Sequence, residues 1–333
     1  MYDIPVLFLI FNRPELTKAT FNRIRAIRPK YLYIAADGPR KKIKGEEDLC
    51  QQTREVVLDS VDWSCDVKCF FNDHNLGCGT AVSLALDWFF SHVEMGIIIE
   101  DDILTTNKFF EYMHYCLKKF EHDLSIYSIS GNSLGLDTGL GLNYFRSNYF
   151  NMWGWATWKR SWSLMNQTWK ALNENSGVLT DNMKTSLRLF KYCDNSPWWE
   201  HWQKILADTV NGRVDTWDYQ WVFAALENKK TCIFPTRIIV QNIGFGSDAT
   251  HTKNHALTHK LGRGITQENT FNIENPKEVI IADYELKYIM DAWNNFSIDS
   301  FAHSSKSILK YLLSYFELMR ARNLLKDYHT KLF

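Results

Sequence analysis

The run Ile4 to Phe11 (IPVLFLIF) is short, apolar and without polar alternation, the pattern of a strand buried on both faces. Asn12 then predicts a helix cap, with Pro14 in the first turn and Leu16, Phe21, Ile24 and Ile27 as a helical apolar stripe. A second strand is expected over Tyr31 to Ala36, ended by Asp37-Gly38-Pro39. The alternation continues with a polar helix over Glu46 to Leu58 and a strand near Val67 to Phe71. A turn-rich loop over Asn72 to Gly79 precedes a helix from Thr80 to about His92. Gly96 to Ile99 reads as a strand that runs straight into Glu100-Asp101-Asp102. A helix from Asn107 to about Phe120 and a fifth strand over Ser125 to Ser130 close this half.

Repeated strand–helix units of this length imply an α/β fold with a mostly parallel central sheet flanked by helices. Ligands of such sheets sit outside the carboxyl ends of the strands. That rule gathers Asn12-Arg13, Asp37-Gly38, the Asn75 loop and the acidic triplet along one edge. The chain has no G-x-G-x-x-G or Walker loop, which argues against a dinucleotide oxidoreductase and a P-loop kinase.

From about Leu142 the pattern changes. Trp153-Gly154-Trp155, Trp158 and Trp162 come close together, followed by Trp198, Trp199, Trp202, Trp217 and Trp221. This half is expected to face an acceptor. Lys277 to Phe333 reads as helices, including Ser307 to Leu325, whose Leu, Tyr and Phe side chains alternate with Lys and Arg. The expected organisation is a domain over 1–255, with a nucleotide-binding half (1–130) and an acceptor-facing half (131–255). A mainly helical extension over 256–333 would pack on the body or touch a membrane peripherally.

Composition narrows the class. The net charge is zero, so the basic excess of a nucleic-acid binder is missing and no nucleic-acid partner is expected. Thirteen Trp, 15 Tyr and 21 Phe give 15 % aromatics, which suits sugar rings as well as an aromatic core. Seven cysteines without a Cys-x-x-Cys pair point to free thiols in a reducing compartment. No leader pattern opens the sequence, and no apolar run approaches the roughly 18 residues of a membrane span. A cytoplasmic protein is the expectation.

The acidic triplet is the chief chemical candidate. Ile97-Ile98-Ile99 would drag solvated acids toward a core, which needs a compensating cation. A divalent ion bridging a nucleotide diphosphate would neutralise charge on the departing group. Mn²⁺ or Mg²⁺ prefers oxygen ligands and often uses one or two carboxylates beside phosphates, with Asp102 the natural ligand here. Asp101 and Glu100 would hold ribose and donor-sugar hydroxyls. Arg13 and Asp37 follow strands and suit a base or phosphate, or a turn; Asn75 and Gly77 carry the same two readings. The segment Asn242 to His251 (NIGFGSDATH) after a strand over Ile238 to Gln241 suits a lid. It places Gly246 and Ser247 near the donor, and His251 as metal ligand or donor to the leaving phosphate. Asp218, between Trp217 and Trp221, is the candidate base or a helix cap, with Asp215 and Glu200 as rivals.

Together these motifs resemble nucleotide-sugar transferases of the GT-A fold, particularly N-acetylglucosaminyltransferase I and its bacterial relatives. The likeness spans roughly residues 4 to 255. It rests on Asn12-Arg13 and Asp37 after strands, then Ile-Glu-Asp-Asp-Ile followed by Phe109-Phe110-Glu111-Tyr112. Tyr144-Phe145-Arg146-Ser147 before Trp153-Gly154-Trp155, Trp217-Asp218-x-x-Trp221 before Cys232-Ile233-x-Pro235, and Gly244-Phe245-Gly246 with His251 complete it. The resemblance implies a Rossmann-like GT-A sheet, a UDP-sugar donor, Mn²⁺ or Mg²⁺, and transfer with inversion to a glycan or lipid-linked glycan. It assigns uracil to Arg13 and Asp37, ribose to Asp101, metal to Asp102 and donor sugar to Glu100. Gly154 and Trp155 would shape the donor–acceptor junction, and Asp218 would be the base. The segment from Trp198 to Val214 departs from that pattern.

Two other classes compete. A sugar-phosphate nucleotidyltransferase would release pyrophosphate from a nucleoside triphosphate. It normally carries a glycine- and Arg/Lys-rich loop where this chain has Asn12-Arg13-Pro14-Glu15. A Trp-rich carbohydrate-binding protein would explain the aromatics and leave the strand-end acids without purpose.

Overall fold

The computed structural model describes residues 2–133, 142–174, 177–188, 196–244 and 276–279, all within a compact unit spanning Met1–Lys287. The chain begins with β1 (Val6–Ile10), α1 (Pro14–Ile27), β2 (Tyr31–Ala36), α2 (Glu46–Leu58) and β3 (Asp66–Phe71). It continues with α3 (Cys78–His92), β4 (Met95–Glu100), β5 (Ile103–Thr105), α4 (Asn107–Lys119) and β6 (Ile126–Ser130). The later elements are β7 (Tyr144–Ser147), β8 (Trp155–Trp158), α5 (Lys159–Glu174), α6 (Asp181–Arg188), α7 (Ser196–Val210), α8 (Asp218–Glu227), β9 (Thr231–Pro235) and β10 (Val240–Asn242).

Eight strands form one sheet in the order β3-β2-β1-β4-β8-β6-β9-β7, and β10 pairs with β5 in a separate ribbon. The β3-β2-β1-β4 half is wholly parallel, as the strand–helix alternation predicts. Every residue of β1 is buried, because the sheet is covered on both faces. Val6, Phe8 and Ile10 join a core with Phe21 and Ile24 of α1, Val57 of α2 and the apolar face of α4. The opposite face receives α3, where Tyr33 meets Phe89 edge-on with centroids 5.0 Å apart. This is the expected α/β arrangement, a large mostly parallel sheet flanked by helices.

The second half differs from the sequence reading. Trp155–Trp158, expected to face an acceptor, is instead a fully buried strand between β4 and β6, antiparallel to both. Aromatic side chains fit a buried pleat as well as they fit a sugar. Past β9, the short stretch 276–279 runs beside β7, with Tyr144 N–H bonded to Lys277 O (3.1 Å) and Val279 N–H to Tyr144 O (2.8 Å). Glu278 adds an ion pair to Arg146 at 3.0 Å. The expected boundary at 255/256 and the remaining C-terminal helices lie outside the described residues. Among the described residues no helix is long and apolar enough to cross a membrane.

Candidate active site

The register of the sheet builds the site. Leu9 of β1 lies opposite Glu100 of β4, and Ile10 lies opposite Ala36 of β2. Continuing past the strand ends brings Arg13, Asp37 and the acidic triplet to one edge. Ile97, Ile98 and Ile99 are fully buried, each contributing roughly 1.5–3 kcal/mol of apolar burial, which anchors the acids at the edge of the core.

The chain turns at Asp101-Asp102, and both side chains fold inward, 3 % and 9 % exposed. The Arg13 guanidinium is paired with Asp101 and lies 3.1 Å from Asp102 Oδ2. Thr20 Oγ1 of α1 donates to the Asp101 carbonyl at 2.9 Å and fixes the turn. Burial opposes the charge on Arg13, but Asp101 and Asp102 outweigh it and hold the guanidinium protonated. Burial likewise pushes Asp101 up to about 6, against the opposing pull of Arg13. Glu100 is pushed up to about 8, by burial first and then by the fields of Asp102, Asp101 and Asp218. One arginine therefore compensates three crowded carboxylates, and the corner is short of positive charge.

Asp102 Oδ1 is buried and has no hydrogen-bond partner among the described residues, a costly state for a carboxylate oxygen. The β5/β10 ribbon carries the chain back over it: Ile243 N–H bonds the Asp102 carbonyl at 2.8 Å. A Cβ on Gly244 would collide with the Asp102 carboxylate, so only glycine lets the backbone come this close. A hard divalent cation fits this oxygen chemistry. Among the described residues no three His, Cys, Asp or Glu side chains form a cage for a metal ion. Gly246, Ser247 and His251 lie outside the described residues.

Asp37 accepts five bonds from its own neighbourhood. Gly38 N–H (2.9 Å) and Asn72 Nδ2 (3.1 Å) reach Oδ1, Asn75 Nδ2 reaches Oδ2 (2.8 Å), and Leu76 N–H reaches both (3.1 Å). It organises the loop that carries Asn75 and Gly77. In this arrangement its lone pairs are spent on protein donors, so a base N–H would have to displace one. Gly77 takes φ +82° at the N-terminus of α3, where side chains other than glycine are strained.

Asp218 is the first residue of α8, and its Oδ1 accepts from Thr216 Oγ1 and from Tyr219 N–H (2.8 Å). Its charge reaches Glu100, Cys78, Tyr149 and Tyr219, so it stands within electrostatic range of the triplet. Burial first, and Asp218 among the further causes, raises both tyrosines and keeps them protonated. Asp215, a rival base, is used otherwise: its carboxylate accepts from Cys78 N–H (3.0 Å) and Gly79 N–H (2.8 Å). The side chain of Glu200, the other rival, lies outside the description.

Trp155 is 1 % exposed and stacks on Trp217 at 5.3 Å, so it backs the site instead of lining it. Gly154, at φ +54°, sits against Ile103, Phe109 and Val240 at the start of β8. Sequence reasoning passed over the half-buried Cys78, whose thiol is raised by burial and then by Glu100, Asp218, Asp215 and Asp37.

No protein-family model and no curated protein matches this chain. Among solved structures, it is similar to the mannosyltransferase PcManGT from Pyrobaculum calidifontis in complex with GDP-Man and Mn²⁺. That match has 14 % identity and a TM-score of 0.32, covering 68 % of this chain and 70 % of that one. A UDP-glucose pyrophosphorylase complexed with UDP-glucose matches at 9 % identity and a TM-score of 0.31, over 69 % of this chain and 90 % of that one. The glycosyltransferase GlyE of Streptococcus pneumoniae TIGR4 matches at 14 % identity and a TM-score of 0.28, over 56 % of this chain and 43 % of that one. Likenesses this remote carry no argument about chemistry.

Proposed function

We propose that this chain is an inverting, metal-dependent glycosyltransferase. It moves a sugar, N-acetylglucosamine being one candidate, from a UDP-sugar to a hydroxyl of a glycan or lipid-linked glycan. The observation that carries the reading is Asp102 Oδ1, buried without a partner among the described residues in a corner where Arg13 pairs with both Asp101 and Asp102 beside Glu100. Mn²⁺ or Mg²⁺ bound there supplies Lewis-acid neutralisation of the leaving diphosphate. Asp102 holds it, with His251 as the proposed second ligand. Asp101 and Glu100 take ribose and donor-sugar hydroxyls, and Arg13 exchanges its carboxylate partners for the nucleotide. Gly246 and Ser247 are the further donor-binding residues of this reading.

Asp218 takes the acceptor's hydroxyl proton as the oxygen attacks the anomeric carbon from the face opposite the departing UDP. Its Oδ1 is held by Thr216 and Tyr219, and no bond to its Oδ2 exists among the described residues. A carboxylate fixed through one oxygen offers the other for proton transfer. Nucleotidyl transfer is the poorer reading because α1 begins at Pro14, directly after Arg13, leaving no glycine loop to cradle a triphosphate.

The test offers the chain Mn²⁺, a panel of nucleotide sugars and glycan acceptors, and measures the phosphate product. Release of UDP from a UDP-sugar is expected. Pyrophosphate released from a nucleoside triphosphate and a sugar phosphate would replace the proposal with nucleotidyl transfer. Glycan binding that needs neither nucleotide nor metal would make the protein a lectin.

A further inference from the structure

Helix α3 begins without a cap of its own. Its N-cap is Gly77, which has no side chain to accept a bond, and its first turn carries no acid. The cap arrives from far along the chain, where Asp215 accepts from the N–H groups of Cys78 and Gly79 across more than 130 residues of sequence. The fit is close. An added Cβ on Gly77 would lie 2.5 Å from Asp215 Oδ2, and one on Gly79 would lie 2.9 Å from Oδ1 and 2.9 Å from the Thr216 carbonyl. Two glycines therefore make room for one carboxylate and the backbone that follows it.

The next three residues each carry a separate anchor. Thr216 holds the Asp218 carboxylate and accepts from Gln220 Nε2 at 3.1 Å. Trp217 stacks on the buried Trp155 of β8. Asp218 then opens α8. On the other side of the tether, Asp37 fixes the loop through Asn75 and Leu76 only a few residues before Gly77. Asp215 thus joins the strand-end loop beside the nucleotide edge to the segment that presents Asp218. Cys78, whose amide is one of the two bonded, is raised by burial first and then by Glu100, Asp218, Asp215 and Asp37.

We propose that Asp215 is a positioning residue: it sets the separation between the donor side of the site and the Asp218 base. The proposal rests on the functional reading above. Asp215 spends both oxygens on backbone amides and takes no proton from substrate. Its contribution is geometric, because a base displaced by about 1 Å loses up to about a hundredfold in rate.

The test compares Asp215→Ala and Asp215→Asn with wild type, in transfer kinetics and in amide hydrogen exchange. Asp215→Ala is expected to lower kcat about 10- to 100-fold while the donor KM changes less than about threefold. Asp215→Asn keeps one acceptor oxygen and should recover part of that loss. In Asp215→Ala the Cys78 and Gly79 amides should exchange faster, while the Ala81 amide, bonded to the Gly77 carbonyl at 2.9 Å, stays protected. Fast exchange at Cys78 and Gly79 with unchanged kcat would overturn the positioning role and leave the function standing. Slow exchange at both amides in Asp215→Ala would show that no tether exists. A wild-type chain with no transfer activity but the same exchange contrast would sink the functional reading, and the positioning role with it.

Discussion

Asp102 and Asp218 occupy opposite electrostatic situations although both are carboxylates at the ends of regular elements. Asp102 Oδ1 is buried with nothing to bond among the described residues, whereas Asp218 is half-buried and held through one oxygen by Thr216 and Tyr219. In the proposed function the first takes the cation and the second takes the proton. Replacing Asp218 with Asn should keep donor binding, measured by calorimetry, and lower the transfer rate by about 10²–10⁴-fold. Near-normal turnover would remove Asp218 from the role. At this scale the sequence was informative where a charge followed a buried strand, as at Arg13 and Glu100 to Asp102. It offered Asp215 only as a rival base and missed its bonds to the start of α3, because a cap that serves a helix from a distant loop leaves no local pattern. A helix whose N-cap is Gly77 and whose first turn carries no acid was the available sign.

Among elements, the parallel half was legible almost residue by residue: Tyr31–Ala36 and Glu46–Leu58 have the bounds that their apolar runs and turn residues suggested. The reason is that β1, β2 and most of β4 are buried on both faces, so their hydrophobic runs are unbroken. β8 was hidden because Trp155-Ala156-Thr157-Trp158 is four residues long and its aromatics suit two roles. Its place between β4 and β6 makes Trp155 a core residue packed on Trp217 and Trp221. Trp155→Ala should therefore cost about 3–5 kcal/mol of stability in chemical denaturation. A loss below about 1 kcal/mol would show that the stack bears little of the core's packing. A strand was expected over Ile238 to Gln241 and β10 lies at Val240–Asn242, but its pairing with β5, which brings Gly244 onto Asp102, could not be read from short apolar runs.

For the whole molecule, the crowded acids tie stability to pH. Glu100 and Asp101 hold protons more tightly folded than unfolded, so folding takes up protons between about pH 4.5 and 8. Stability then falls as pH rises through that window. The thermal midpoint of the metal-free protein should be lower at pH 8 than at pH 5.5, and Mn²⁺ at pH 8 should restore part of the difference. A midpoint that rises across this range would mean the acids are already compensated within the chain. The most direct measurement of the central claim is calorimetry of UDP binding, with and without Mn²⁺, on the wild type and on folded Asp102→Ala. The account expects binding that needs Mn²⁺ in the wild type and is lost in the variant; equal, Mn²⁺-dependent affinity in both would contradict it.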